Sequence, residues 1–207
     1  MGYPDSFDSQ TTKINGEMLS SAAQQDLDEL ENKGYEVHLG LTPEIADDIA
    51  KMALEPSIKE YCPRDCAERF KDRDSTKAWL SKKRATFLLL KKSDGGDLRL
   101  IGYGWAGAAT SKEVPEGETT FAIRIGEVGQ GQGLATPFAR LIVEATKVLF
   151  EAKDMWLETW QSNGGAVHIY HKIGFEDVAQ LDDQRISTSG DKIADKRLFM
   201  KLPQIPA

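Results

Sequence analysis

In Val128-Gly129-Gln130-Gly131-Gln132-Gly133-Leu134-Ala135, three glycines fall at every second position. Before them, Phe121-Ala122-Ile123-Arg124-Ile125 alternates as a strand does. After them, Leu134, Phe138, Leu141, Ile142, Ala145, Val148 and Leu149 recur at helical spacing. A strand, a glycine loop and a helix in that order present bare backbone N–H groups to an anion. Glycine lets the backbone approach closely and take a positive φ. The helix start leaves about four N–H donors unpaired and carries roughly half a positive charge. The chemistry this spacing suits is the binding of a phosphate or pyrophosphate.

The spacing excludes two common phosphate loops. A P-loop requires Gly-x4-Gly-Lys-Ser/Thr, and no lysine stands here. A dinucleotide loop requires G-x-G-x-x-G; counted from Gly129 the last position is Leu134, and from Gly131 it is Thr136. Gln130-Gly131-Gln132-Gly133-Leu134-Ala135 does fit Gln/Arg-x-x-Gly-x-Gly/Ala at every position. In this it resembles the acetyl-coenzyme A pyrophosphate loop of the GCN5-related N-acetyltransferases, the GNAT family. Further on, Met155-Trp156-Leu157-Glu158-Thr159-Trp160 reads as a strand. The residues that follow look like the family's N-x-x-A-x-x-x-Y-x-x-x-G-F signature, filled by Asn163, Ala166, Tyr170, Gly174 and Phe175. The two motifs stand in the family's order and separation.

The resemblance implies an N-acetyltransferase that moves an acetyl group from acetyl-CoA to a primary amine on a small molecule or peptide N-terminus, by direct attack. It implies coenzyme contacts from the backbone of Gly131, Gln132, Gly133, Leu134 and Ala135, from the Thr136 hydroxyl and from the Gln130 side chain. It implies that backbone groups of Ile123 and Ile125 pair with the pantetheine arm and that Asn163 hydrogen-bonds it. Gln130 departs from the more frequent arginine, so a charge-assisted bond to phosphate is missing there. Tyr170 matches the family's general acid; a phenol near pKa 10 is protonated at pH 7 and can serve a thiolate near 8.5. Glu158 looks like the glutamate base of bacterial ribosomal-protein N-terminal acetyltransferases, with Glu127 as second candidate and His171 as a candidate relay. A base matters more for a lysine, whose deprotonation at pH 7 costs roughly 4.6 kcal/mol, than for an α-amine, at about 1 kcal/mol. No cysteine falls in the motif region to act as a nucleophile, and no metal is expected. Two other readings stay open: a catalytically silent domain of the same fold that binds acyl-coenzyme A, and a dinucleotide-dependent oxidoreductase, against which the failed spacing argues.

Composition bounds the surroundings. With 207 residues and 40% hydrophobic content, the chain is long enough for one well-cored domain with some chain left over. It has no apolar run of about 18 residues, so no membrane span is expected. Residues 1–20 are polar and acidic, so no signal peptide is expected and the location is read as cytoplasmic. The net charge of −7 argues against a partner nucleic acid. Much of that charge lies in residues 1–34, where seven acids face two lysines. This stretch reads as an acidic arm, with a helix over 17–33 anchored by Met18, Ala22, Leu27 and Leu30 and stopped by Gly34. It is either a surface helix packed on the domain or a homodimer contact. Cys62 and Cys66, with no histidine nearby, read as two free thiols rather than a zinc site.

From Tyr35 the elements that must position the motifs follow closely. Tyr35 to Gly40 alternates as a strand. Thr42-Pro43-Glu44 starts a helix that runs to about Leu54, with Ile45, Ile49 and Met52 inward. Ser57 to Lys83 reads as mostly helical; the resemblance makes it one wall of the acceptor site, with Tyr61, Phe70 and Trp79 as candidate contacts. Strands follow over Ala85–Leu90, Leu98–Ala109 and from Thr120 into the glycine loop, then over 176–179 and 197–202. The order β-α-α-β-β-β-α-β-α-β-β describes an α/β fold that is not doubly wound. It agrees with the GNAT fold over 35–202: a mixed central sheet of about seven strands flanked by about four helices. The domain is drawn at 35–207, and acceptor specificity is expected in 54–84 and 176–197.

Overall fold

Phe121-Ala122-Ile123-Arg124-Ile125 is a strand, and it lies inside an eight-stranded sheet of order β1-β2-β3-β4-β5-β6-β8-β7. The computed structural model describes residues 11–16, 19–82, 84–93, 95–108 and 119–203. The strands are β1 (Thr12–Lys13), β2 (Tyr35–Leu39), β3 (Arg84–Lys92), β4 (Leu98–Ala108), β5 (Thr119–Ile125), β6 (Met155–Trp160), β7 (Glu176–Ile186) and β8 (Lys192–Leu202). The helices are α1 (Ser21–Asn32), α2 (Pro43–Met52), α3 (Pro56–Tyr61), α4 (Arg73–Leu80), α5 (Ala135–Phe150) and α6 (Gly164–Lys172). A π turn spans Asp65–Arg69 and a 3-10 turn Glu127–Gly129. The expected mixed α/β sheet is there, with one strand more than about seven. The extra one is the two-residue β1, paired with β2 at Thr12↔Leu39. Six helices among the described residues replace about four, because Ser57–Lys83 breaks into separate pieces and α1 adds to the count. Met18 and residues 109–118, among them Ala109 of the expected strand, lie outside the described residues.

Each face of the sheet has its own core. On one face Phe138, Leu141, Ile142 and Ala145 of α5 pack with Phe121, Leu157 and Met200, and with Ala23, Leu27 and Leu30 of α1. The stretch expected as an arm thus joins the main core: Ser20 caps α1 by accepting from the Ala23 N–H at 3.3 Å, and Gly34 follows it at φ +75°. Val148, read as part of the inward stripe of α5, is exposed. Gly104 of β4 lets α5 settle onto the sheet; a Cβ there would lie 2.4 Å from Ile142 Cδ1 and 2.9 Å from the Ala122 carbonyl. On the other face Ala46, Ile49 and Met52 of α2, Leu80 of α4 and Ile58 of α3 cover Leu88, Leu90, Tyr103 and Trp105. Thr42 caps α2 with its side chain and Pro43 opens it. Phe70 is fully buried, edge-on to Tyr103 at 5.2 Å between ring centroids, so it anchors this core.

The junction of β5 and β6 positions the site. Every other pair in the sheet is antiparallel, whereas β5 and β6 run parallel and share only Thr120↔Trp156. Beyond that point the strands part, and the glycine loop follows the open end of β5.

Candidate active site

The gap between β5 and β6 opens into a cleft of about 1190 Å³ that reaches both faces of the sheet. Ile123 and Ile125 line it. The Ile123 carbonyl accepts from Arg124 Nη1 at 2.8 Å, and the Ile125 carbonyl from Gln130 Nε2 at 3.0 Å. In an antiparallel strand the N–H and C=O of one residue point to the same side. The N–H groups of Ile123 and Ile125 therefore face away from β4, into the gap. At the wide end stand Gly131 and Gly133, at φ +72° and +73°, with no heavy atom within 4 Å of where a Cβ would sit. Leu134 precedes α5 with no side-chain cap, and the first turn holds no acid. No side chain takes up the N–H donors of that helix start, and Ala135 and Thr136 stand on the cleft wall.

The two glutamines of the loop part company. Gln130 lines the cleft, but its Nε2 also donates to Ser57 Oγ at 2.9 Å, which braces the loop against α3. Gln132 turns away: its Nε2 donates to the Val128 carbonyl at 2.6 Å, and its Oε1 accepts from the Tyr35 hydroxyl at 2.6 Å. Its side chain is a strut between the loop and β2, and only its backbone belongs to the glycine turn.

Asn163 begins α6, its Oδ1 accepting from the Ala166 N–H at 3.3 Å, and it lines the cleft. The other nitrogen-bearing end of the amide makes the residue both a cap and a candidate contact. Two turns on, Tyr170 lines the same cleft. Its ring packs edge-on to Phe121 at 5.9 Å and tilted against Phe175 at 6.2 Å. Burial pushes the phenol up to about 12, and the nearby Arg124 guanidinium restrains the rise. Glu158 also lines the cleft, from β6. Leu157 belongs to the α5-side core, so Glu158 beside it projects to the opposite face. There Arg197 Nη1 lies 3.6 Å from it, while Arg197 Nε lies 2.8 Å from Asp183.

Other candidates fall elsewhere. Glu127 accepts from the Ser57 N–H at 3.2 Å, and its own N–H donates to Glu55 at 2.7 Å; it joins α3 to the end of β5 and does not line the cleft. His171 pairs with Asp177 at 2.8 Å on the surface. Tyr61 and Trp79 do line the cleft. The Tyr61 hydroxyl donates to the Ser162 carbonyl at 3.3 Å, and Glu60 next to it binds Arg185 of β7, so α3 closes across the cleft onto the β7–β8 hairpin.

Sequence reasoning missed a buried ionic cluster beneath the cleft. Arg124 Nε donates to Asp65 Oδ2 at 2.7 Å, and Arg69 Nη1 reaches Asp65 Oδ1 at 3.1 Å. Asp65 is wholly buried. The available signal was an arginine inside an apolar strand, since a buried charge requires a partner; that partner is 59 residues away. Beside it stands Cys62, which lines the cleft. A cysteine thus reaches the motif region in space although none does in sequence. Burial pushes its thiol up to about 11, with Arg124 pulling the other way. The thiolate fraction at pH 8 is then about 10⁻³, which disfavours covalent transfer through it. Alkylation of Cys62 by iodoacetamide at pH 8, followed peptide by peptide by mass spectrometry, is expected to run at least about tenfold slower than that of free cysteine. Labelling as fast as the free amino acid would reject this account of the thiol.

Among the described residues no group of three or more His, Cys, Asp or Glu could hold a metal, and no helix is long and apolar enough to cross a membrane. Residues 39–176 match the family model described as "Acetyltransferase (GNAT) domain". No curated protein matches the chain in sequence. Solved structures share its fold. Spermidine N-acetyltransferase from Vibrio cholerae, in complex with CoA and spermine, is similar at TM-score 0.63 and 16% identity, over 84% of this chain and 98% of that one. Ribosomal-protein-S5-alanine acetyltransferase from Vibrio fischeri is similar at TM-score 0.62 and 12% identity, over 84% and 96%. YncA, a putative acetyltransferase from Salmonella typhimurium with acetyl-CoA, is similar at TM-score 0.61 and 16% identity, over 84% and 95%.

Proposed function

The chain belongs to the GNAT acetyltransferase family, and from that premise we propose that it transfers an acetyl group from acetyl-CoA to a primary amine by direct attack. The observation that carries this reading is that one cleft joins the uncapped, glycine-led start of α5 to Tyr170 and Glu158 through the gap between β5 and β6. Backbone donors from Gly131 to Ala135 and the Thr136 hydroxyl hold the diphosphate. The Ile123 and Ile125 N–H groups hold the pantetheine arm, helped by the free end of the Asn163 amide, and one of them is placed for the thioester oxygen. Because Gln130 carries no charge and is already engaged, phosphate affinity rests on the helix start. Tyr170 donates its hydroxyl proton toward the departing sulfur. Glu158, on the acceptor face, takes a proton from the incoming ammonium, directly or through water. The structurally similar acetyltransferases of spermidine and of ribosomal-protein-S5 alanine support an amine as the acceptor class. A catalytically silent coenzyme-binding domain is the weaker alternative, since Tyr170 and Asn163 both face the cleft.

Two measurements test the reading. Calorimetry should show acetyl-CoA binding and no binding of NAD, and thiol release across an amine panel should show turnover. In Glu158→Gln the acid-side limb of the pH–rate profile should move while the affinity for acetyl-CoA stays as it is. A profile that superimposes on the wild type would remove Glu158 from the mechanism, and a protein that binds no acyl-coenzyme A would end the proposal.

A further inference from the structure

The cleft continues past the site of transfer to a wall that carries more positive charge and more N–H donors than the protein itself uses. Arg69, Trp79 and Trp105 line it. They stand on the face covered by α2 and α4, opposite the face that α5 packs on. Trp79 and Trp105 meet edge to face at 5.9 Å. The Arg84 guanidinium lies over both rings, at 4.2 and 5.1 Å from their centroids, and Arg69 lies over Trp79 at 4.6 Å. Arg84 Nη1 donates to the backbone carbonyls of Trp79 and Lys82.

The donors of this wall are left over. Trp79 Nε1, Trp105 Nε1, Arg69 Nε and Arg84 Nε are all buried without an acceptor among the described residues. Trp105 is 7% exposed and Arg84 6%. Buried polar groups without partners are uncommon in folded proteins, and each is costly unless something meets it. The charge is left over too. Asp65 is shared between Arg69 and Arg124, and Arg84 has no carboxylate within ion-pair distance among the described residues. Two carboxylates of the cleft are meanwhile paired, Glu60 with Arg185 and Asp183 with Arg197, while Glu158, the base of the proposed mechanism, has among the described residues only the longer approach of Arg197 Nη1 at 3.6 Å. A polycationic acceptor would meet these arginines and few free acids.

We infer that Arg69, Trp79 and Trp105, backed by Arg84, form an anion subsite that holds the carboxylate of the acceptor, so that the substrate is a small amine bearing a carboxylate, as in a free amino acid. This deepens the acetyltransferase reading and rests on it for which end of the cleft the acceptor enters. A planar carboxylate suits in-plane indole N–H donors and a guanidinium edge better than a point contact would. Burial lowers the Arg84 pKa to about 10, with Arg69 adding to the fall, which leaves the side chain charged at neutral pH. An anion placed here would relieve that repulsion.

The test uses matched probes on the full chain. Free amino acids and their methyl esters are titrated by calorimetry, with and without CoA, and compared in thiol-release assays with acetyl-CoA. Free amino acids are expected to bind, with kcat/KM about 10²-fold above their esters, the fold-change that losing one hydrogen bond to a charged group corresponds to. Trp79→Phe and Trp105→Phe each keep an aromatic ring but remove one of the unpartnered N–H groups. Each should raise KM for the free amino acid about tenfold and leave kcat, the ester and the affinity for acetyl-CoA unmoved. Equal treatment of acid and ester, or a preference for spermine, overturns the subsite. Preference for phosphoethanolamine over the amino acids overturns the carboxylate. If acetyl-CoA fails to bind, it is the acetyltransferase reading that falls, and binding of free amino acids to the protein alone still decides the subsite.

Discussion

Tyr170→Phe is expected to lower kcat by about 10²-fold, roughly 2.7 kcal/mol of transition-state stabilisation, with little change in the affinity for acetyl-CoA. The substitution removes one hydroxyl and keeps the ring that packs against Phe121 and Phe175, so the fold of α6 against the sheet should hold. Burial sets the sign of the pH dependence. With its pKa pushed up to about 12, the phenol is protonated at every working pH, so on the proposed mechanism its O–H would always be available to the leaving sulfur. Full transfer to a thiolate near 8.5 would be uphill by about 3.5 units, or roughly 4.8 kcal/mol. On the proposed mechanism the hydroxyl would therefore act mainly by donating a hydrogen bond as negative charge builds on sulfur, close to the Arg124 cation. The wild-type rate should not fall on the basic side below about pH 10 on account of this group, and the variant's profile should keep its shape at lower height. Loss of coenzyme affinity in step with kcat would show that Tyr170 is a packing residue. A wild-type basic limb near pH 8 that Tyr170→Phe abolishes would contradict the raised pKa.

What could be read from the residues was local. Gly131, Gly133 and the start of α5 lie within one short stretch, and Asn163 and Tyr170 within one helix, so spacing alone brings each set together. Pairing across distance was not legible. Nothing in the periodicity of β5 or β6 announces that they part after Thr120↔Trp156, yet that parting makes the cleft. Gln132 lies in the loop pattern, but Tyr35, 97 residues away, claims its side chain. Glu127 had the chemistry of a base and was placed as a latch because Ser57 and Glu55 meet it there. Cys62 read as a free thiol outside the motif region and stands on the wall of the cleft. The β7–β8 hairpin ran far beyond the expected 176–179 and 197–202 because residues 180–196 are mostly exposed and polar on both sides. With no buried face, the period-2 signal that marks a strand is lost, and only the ladder to its partner reveals it.

The same long-range placement sets the largest expected effect on stability, that of Asp65→Asn. The carboxylate is wholly buried and accepts from Arg124 at 2.7 Å and Arg69 at 3.1 Å. Asparagine keeps the size and one acceptor oxygen but removes the only charge that balances two guanidinium groups among the residues described around it. Leaving a buried charge without its partner typically costs about 3–5 kcal/mol, far more than the pair itself contributes. For a chain of this length that corresponds to a fall in Tm of roughly 10 °C. Urea unfolding should show the loss as a lower midpoint at unchanged slope. The exposed Asp47–Arg73 pair is the control: Asp47→Asn should move the midpoint far less, because solvent already screens that bridge. The two sites also differ in reach. Arg124 donates to the Ile123 carbonyl on the edge of the gap and lies near Tyr170, so releasing it from Asp65 should disturb the cleft as well as the core. Asp65→Asn should therefore weaken acetyl-CoA binding in the protein that remains folded, whereas Asp47→Asn should not. If Asp65→Asn matched the control in midpoint and in coenzyme affinity, the cluster would be a passive surface pair, and its place at the base of the cleft would lose its meaning.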